Sequence, residues 1–146
     1  MISHSTFKLT LVLSLAALAI GGCNKSTGPL ISAPVSPIAD IPVPAGFAMD
    51  ASKSNSTVVP ATSFRTAYHY YKGSDDVLPV VNFYRTQMPT KGWTLVDQNQ
   101  MKNEVTLRFS KSKEAAAITI RKALIKTHII VKLGPSDGTT TNAAKN

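Results

Sequence analysis

Eight apolar residues in the second half of the chain recur at every second position: Val105, Leu107 and Phe109, then Ile118 and Ile120, then Ile129, Val131 and Leu133. Successive side chains of a strand point to opposite faces, so this spacing puts all eight on one face of a sheet. The other face is left to Thr106, Arg108, Thr119, Arg121, His128 and Lys132. A slip of one residue in any strand would turn its apolar set to water, which pins the register. With residues 93–97 added, the apolar runs are 93–97, 104–109, 116–121 and 127–133, and the polar connections between them are short. They predict an antiparallel meander.

A sheet that is apolar on one face needs a cover. The preceding segment supplies it: Val77, Val80, Val81, Tyr84 and Met88 fall at i, i+3, i+4, i+7 and i+11, one face of a helix, with Asn82, Arg85 and Thr86 opposite. Pro79 is tolerated only in a first turn, so the helix is expected to begin near Asp75 or Asp76, with Ser74, Asp75 and Asp76 as caps. Pro89 and Gly92 are expected to end it. Upstream, residues 63–71 alternate and are rich in aromatics, as in a strand that Gly73 ends. Residues 41–49 form an extended lead-in whose prolines permit only an edge or a strand start. The expected fold is α+β in the order β-β-α-β-β-β-β, an antiparallel sheet of about five to six strands with one helix packed on one face.

Residues 9–20 are almost wholly apolar. As a helix they would measure about 18 Å, against a hydrocarbon layer of roughly 30 Å, which is the length of a signal peptide and too short to span. Then come Ile20-Gly21-Gly22-Cys23 and the polar Asn24-Lys25-Ser26. The tetrapeptide resembles the lipobox of bacterial lipoprotein signal peptides, with Ile20 in place of the usual leucine. The resemblance implies cleavage between Gly22 and Cys23, a diacylglyceryl group on the Cys23 sulfur and an N-acyl lipid on the freed amine; no other cofactor is implied. Two glycines leave the backbone open to a peptidase, and the thiol is the strong nucleophile at hand. Two or more acyl chains anchor stably where one binds only marginally. The resemblance implies a chain anchored to the cell membrane and facing the periplasm or exterior. Asn24 stands where an aspartate commonly retains such proteins in the inner membrane of enteric bacteria, which favours the outer membrane. The chain has one cysteine, which excludes an internal disulfide and a cysteine metal cluster.

Residues 23–40 hold Pro29, Pro34 and Pro37 and show no periodicity, so they read as the lipidated cysteine and a flexible tether. The domain is expected at 41–133 and a small-residued, disordered tail at 134–146. On this layout Tyr71-Lys72-Gly73, Phe83-Tyr84, Met88-Pro89 and Gly92-Trp93 make residues 41–133 similar to a group of small bacterial lipoproteins of unknown function. These share a Pro-x-Pro-x-Gly lead-in, a Tyr-x-Gly turn and a Phe-Tyr, Met, Gly-Trp helix exit. The group has no established activity, so the resemblance implies fold and location and carries no catalytic residues. The same residues read structurally as helix packing and a glycine turn; the other reading is a ligand or glycan platform built from Tyr68, Tyr70, Tyr71 and Trp93.

The residues show no catalytic constellation. His69 and His128, expected in exposed or edge regions of the sheet, lack the three or four partners of a metal site, and His4 leaves with the signal. Asp75 and Asp76 read as caps, while Asp97, Glu104 and Glu114 stand at turns, unpaired for acid and base work. Removing residues 1–22 takes Lys8 and no acid, leaving a net charge of +7 instead of +8, without a basic run of the kind that binds nucleic acid. Arg108, Arg121, Lys122, Lys126 and Lys132 form a candidate basic surface. The expected function is a membrane-anchored, non-catalytic binding or assembly module of the bacterial cell envelope, meeting a protein partner through an open sheet face or edge. The alternative is a basic-surface binder of anionic envelope polymer or lipid headgroups, and the third reading is a small enzyme.

Overall fold

In the computed structural model residues 28–62 and 64–136 are described, and the lipobox, its cleavage site at Gly22 and Cys23, and residues 137–146 lie outside them. The elements are β1 (Ala48–Met49), a short 3₁₀ turn (Ala51–Lys53), β2 (Asn55–Val59), β3 (Phe64–Gly73), α1 (Val77–Thr90), β4 (Thr94–Met101), β5 (Glu104–Lys111), β6 (Glu114–Ala123) and β7 (Lys126–Pro135). All seven strands join one antiparallel sheet in the order β1-β3-β7-β6-β5-β4, and β2 pairs with β3 further along the edge that β1 uses. The fold is α+β with one helix on one face of the sheet.

The meander has the expected register. Leu107 faces Ile118 and Ile118 faces Val131, while Val105, Ile120 and Ile129 make the row on one side of these and Phe109, Ala116 and Leu133 the row on the other. All are buried. Each of the three hairpins closes on two residues, and the first of each pair (Lys102, Ser112, Leu124) has a positive φ. Such turns follow the right-handed twist of their strands. At the β4 edge a bulge at Val96 shifts the register between Leu95 and Asp97, which interrupts an otherwise open ladder.

Helix α1 buries Val80, Val81, Phe83, Tyr84 and Met88 against β4, β5 and β6. It begins at Val77, and its amino end departs from expectation: Asp76 occupies the cap position but its side chain makes no capping bond. Its carboxylate instead takes a hydrogen bond from Lys122 Nζ at 2.8 Å. At the carboxyl end Gly92, at φ +83°, donates to the Pro89 oxygen at 3.0 Å, and Trp93 donates to the Met88 oxygen at 3.2 Å. This double bond closure requires the left-handed conformation that glycine adopts without strain, and it brings Met88 against Trp93. Pro89 sits inside the last turn rather than after it.

The tether is shorter than expected. Ala33 donates to the Val43 oxygen at 2.7 Å, Ala45 to the Ile31 oxygen at 2.8 Å, and Ser32 bridges Pro44, so residues 31–45 fold as a flap out and back along the sheet. Its Ile38, Ile41 and Val43, with Phe47, enter the same core as the helix. The prolines set extended backbone here without freeing it, because the apolar side chains between them have a core to enter. At the far bend Arg65 bonds Asp40 at 2.7 Å and also Glu114, Lys111 bonds Asp40 at 2.8 Å, and the Trp93 indole donates to the Asp40 oxygen at 3.0 Å. The tail likewise starts late: Gly134 and Pro135 complete β7.

Candidate functional site

With one face of the sheet covered by α1 and the flap, the other face is open, and three registered rows of side chains cross it. The first runs Glu104, Arg121, His128, Lys72; the second Thr106, Thr119, Ile130, Tyr70; the third Arg108, Ala117, Lys132, Tyr68. The floor of this face is made of short side chains at Ala117 and Thr119, where Thr119 shares a 3.1 Å hydrogen bond with Thr106. Longer cationic and aromatic side chains stand around it.

The face is most basic at one corner. Tyr70 and His128 share a hydrogen bond at 2.7 Å between the phenol oxygen and Nδ1. Lys53 and Lys72 stand over the Tyr70 ring at 5.1 and 5.6 Å from its centre. Lys72 also bonds Asp50 at 2.9 Å. Burial, followed by the charges of Arg121, Lys72 and Lys53, holds the His128 imidazole below its ordinary pKa, so it is neutral where the three cations are charged. Farther across, Lys132 lies 5.8 Å from the centre of the Tyr68 ring. Among the described residues neither Arg121 nor Lys132 has a carboxylate at ion-pair distance.

The candidate basic residues therefore separate. Arg108, Arg121 and Lys132 share the open face, where Arg108 is tied to Asp97 at 2.6 Å. Lys122 and Lys126 stand at the end of the sheet, Lys122 on Asp76 and Lys126 on the Ser74 hydroxyl at 2.9 Å. The structure adds Lys53, Lys72 and Tyr70, which sequence reasoning did not place here. Strand parity carried part of the signal, since Tyr68, Tyr70 and Lys72 alternate on one side of β3. Lys53 reaches the corner only through the 3₁₀ turn.

The aromatic platform does not form. Tyr68 and Tyr70 lie on the side of β3 away from the core, and Tyr70 is itself only 7 % exposed beneath Lys53, Lys72 and His128, whereas Tyr71 and Trp93 are buried in the core. His69 is also buried rather than exposed or at an edge, on the covered face, where its Nδ1 lies 3.0 Å from the Tyr71 hydroxyl. Burial lowers the His69 pKa and raises that of Tyr71 to about 12, leaving both neutral, a filled polar contact inside the core. His69 and His128 thus lie on opposite faces. Among the described residues no group of three His, Cys, Asp or Glu side chains could hold a metal ion. A shallow cavity of about 210 Å³ opens between the flap bend and the β2–β3 edge, lined by Pro37, Ile38, Val58, Arg65 and Leu133 among others. No helix among the described residues is long and apolar enough to cross a membrane.

A family model described as START domain-like matches residues 51–139, from the 3₁₀ turn through the last strand. No curated protein and no solved structure matches the chain.

Proposed function

The chain belongs to the START domain-like family. We propose that it is a non-catalytic binding module of the bacterial cell envelope, held at the membrane by lipid on Cys23. The observation that carries the binding role is the open sheet face. It offers a shallow floor at Ala117 and Thr119, the aromatic side chain of Tyr68, and two cations, Arg121 and Lys132, without an ion-pair partner among the described residues. Unpaired cations beside hydroxyls and aromatic rings suit a partner that brings anionic or hydrogen-bonding groups of its own. START-like domains are in general binding modules, in keeping with this role.

The anchor is tested by labelled fatty acid. Label enters the wild type and not Cys23→Ala; equal labelling of both would remove the lipoprotein reading. Cells fractionated in the same experiment place the wild type with the outer membrane.

A second reading, an anionic polymer or lipid headgroup as the partner, is favoured by the Lys53, Lys72 and Arg121 cluster around His128. Salt separates the two, because exposed charge contacts are screened beyond ~8 Å at physiological ionic strength. Association through the face alone weakens steeply with salt if the partner is an anionic polymer. A protein partner with an apolar centre holds.

A further inference from the structure

At the end of the sheet beyond the Arg121 and His128 row of that face, the β6–β7 hairpin ends in two apolar residues. Leu124 is 99 % exposed and Ile125 83 %, and they are the whole loop between Ala123 and Lys126. Turns of this kind favour glycine or asparagine at the first position, yet Leu124 holds it at φ +50°, in the left-handed region that a branched side chain adopts only with strain. The left-handed conformation closes the hairpin, as it does at Lys102 and Ser112, but the exposure of two apolar side chains there buries no surface in the fold. Around the pair the sequence Arg121-Lys122-Ala123-Leu124-Ile125-Lys126 carries three cations and no acid.

More of the same lies at this end of the molecule. Lys122 donates to the Asn103 oxygen at 3.2 Å, which sets the β4–β5 turn beside the tip, and there Met101 is 68 % exposed next to Lys102. The bonds from Lys122 to Asp76 and Lys126 to Ser74 bring the start of α1 to the same end, where Leu78 is 67 % exposed. The acids here are Asp75, Asp76 and Glu104; Asp76 is taken by Lys122, and Glu104 faces Arg121 in register.

The amino-terminal strand of the flap also comes to this end. Ile31 bonds Ala45, Gly46 lies beside Asp75, and Phe47 lies against Gly73, which pairs with Thr127 at the base of the tip. Ile31 follows Cys23 by eight residues in the sequence. We propose that Leu124 and Ile125 form an insertion tip that enters an anionic bilayer, with Lys126 and Lys102 on headgroups, Met101 and Leu78 at the interface, and the basic sheet face upright and accessible. A convex apolar point ringed by cations fits a bilayer, whose acyl layer accepts isolated side chains and whose headgroups take the cations. The orientation of the domain rests on the anchor reading, whereas the tip rests on its own geometry.

The test uses the full-length protein in vesicles of phosphatidylglycerol and phosphatidylethanolamine whose acyl chains carry bromine. Trp93 is 2 % exposed and stays dark to the quencher, so a Leu124→Trp variant reports the tip. Its emission shifts to the blue and falls by half or more in these vesicles. It stays as in water with phosphatidylcholine alone, or when Lys102→Glu and Lys126→Glu are added. Ile125→Asp in the wild-type background weakens vesicle binding of protein added from solution on the order of tenfold or more. Water-like emission of Leu124→Trp on vesicles would overturn the proposal, and so would a blue shift that grows with protein concentration without lipid, which would mark a second copy as the occupant. Failure of the anchor reading shows separately, as protein that does not reconstitute. That protein is then mixed with the same vesicles and the tip is read in the same way.

Discussion

The indole of Trp93 donates to the main-chain oxygen of Asp40 at 3.0 Å, joining the helix exit to the bend of a flap 53 residues earlier in the chain. Around that bond the Asp40 carboxylate accepts from Arg65 and Lys111, and Arg65 also holds Glu114. The flap, the helix exit and the β5–β6 hairpin are thus fastened at one point.

This cluster makes stability depend on acid. Burial raises the Asp40 pKa, but the hydrogen bonds and charges of Arg65 and Lys111 outweigh it and hold the carboxyl at about 2, below its usual 3.8. A depressed folded pKa stabilises fully above the unfolded value and is lost as pH falls through the folded one, so the contribution disappears between pH 3.8 and about 2. With the side chain 19 % exposed and partly screened, Asp40→Asn is expected to cost about 1 to 2 kcal/mol at neutral pH. It also flattens the acid limb. Urea titrations at several pH values check this, and an unchanged acid slope would show that Asp40 is not the group responsible.

Gly73 ends β3 with the Phe47 ring so close that an added Cβ would lie 2.5 Å from it. Gly73→Ala should therefore destabilise by about 1 to 3 kcal/mol through overpacking. Phe47→Leu in the same chain recovers part of that loss, giving a coupling that a double-mutant cycle measures. Additive effects would mean that the two residues do not meet.

Tyr84 is buried in the core, and among the described residues its hydroxyl has no hydrogen-bond partner. Burial raises its pKa far above that of a free phenol, so it stays neutral. Removing an unsatisfied buried hydroxyl costs little, and Tyr84→Phe is expected to fold with stability within about 1 kcal/mol of wild type or above it. A larger loss in thermal or urea unfolding would reveal a partner for the hydroxyl.

Much of the sheet was legible because its side chains alternate between core and solvent from Val105 to Leu133, and the helix face from Val80 to Met88 was legible for the same reason. Strand β2 was not: all five of its residues are exposed at an edge, so burial leaves no periodic mark on them. The first part of the flap, up to Asp40, was read as tether because Pro34 and Pro37 break any helical or alternating pattern, and the rest as an extended lead-in to the domain. What holds it is Ile38, Ile41 and Val43 entering a core formed largely by residues far along the chain. Asp76 looked like a helix cap by position, but Lys122, reached only through the fold, takes its carboxylate. The basic face was half legible. Arg108, Arg121 and Lys132 follow from strand parity, and so does Lys72 once β3 is paired with β7, whereas Lys53 joins them only through the 3₁₀ turn and the Tyr70 ring.

The proposed role as an anchored binding module is tested most directly by a photo-crosslinker placed at Thr119, on the floor of the open face, in the full-length protein in its own cells. A discrete adduct with an envelope component is expected, lost when Arg121→Glu and Lys132→Glu are combined while the amount and membrane location of the protein are unchanged. The same adduct at the same yield in that variant would contradict it, as would crosslinking at Thr119 no greater than at the buried Ile118.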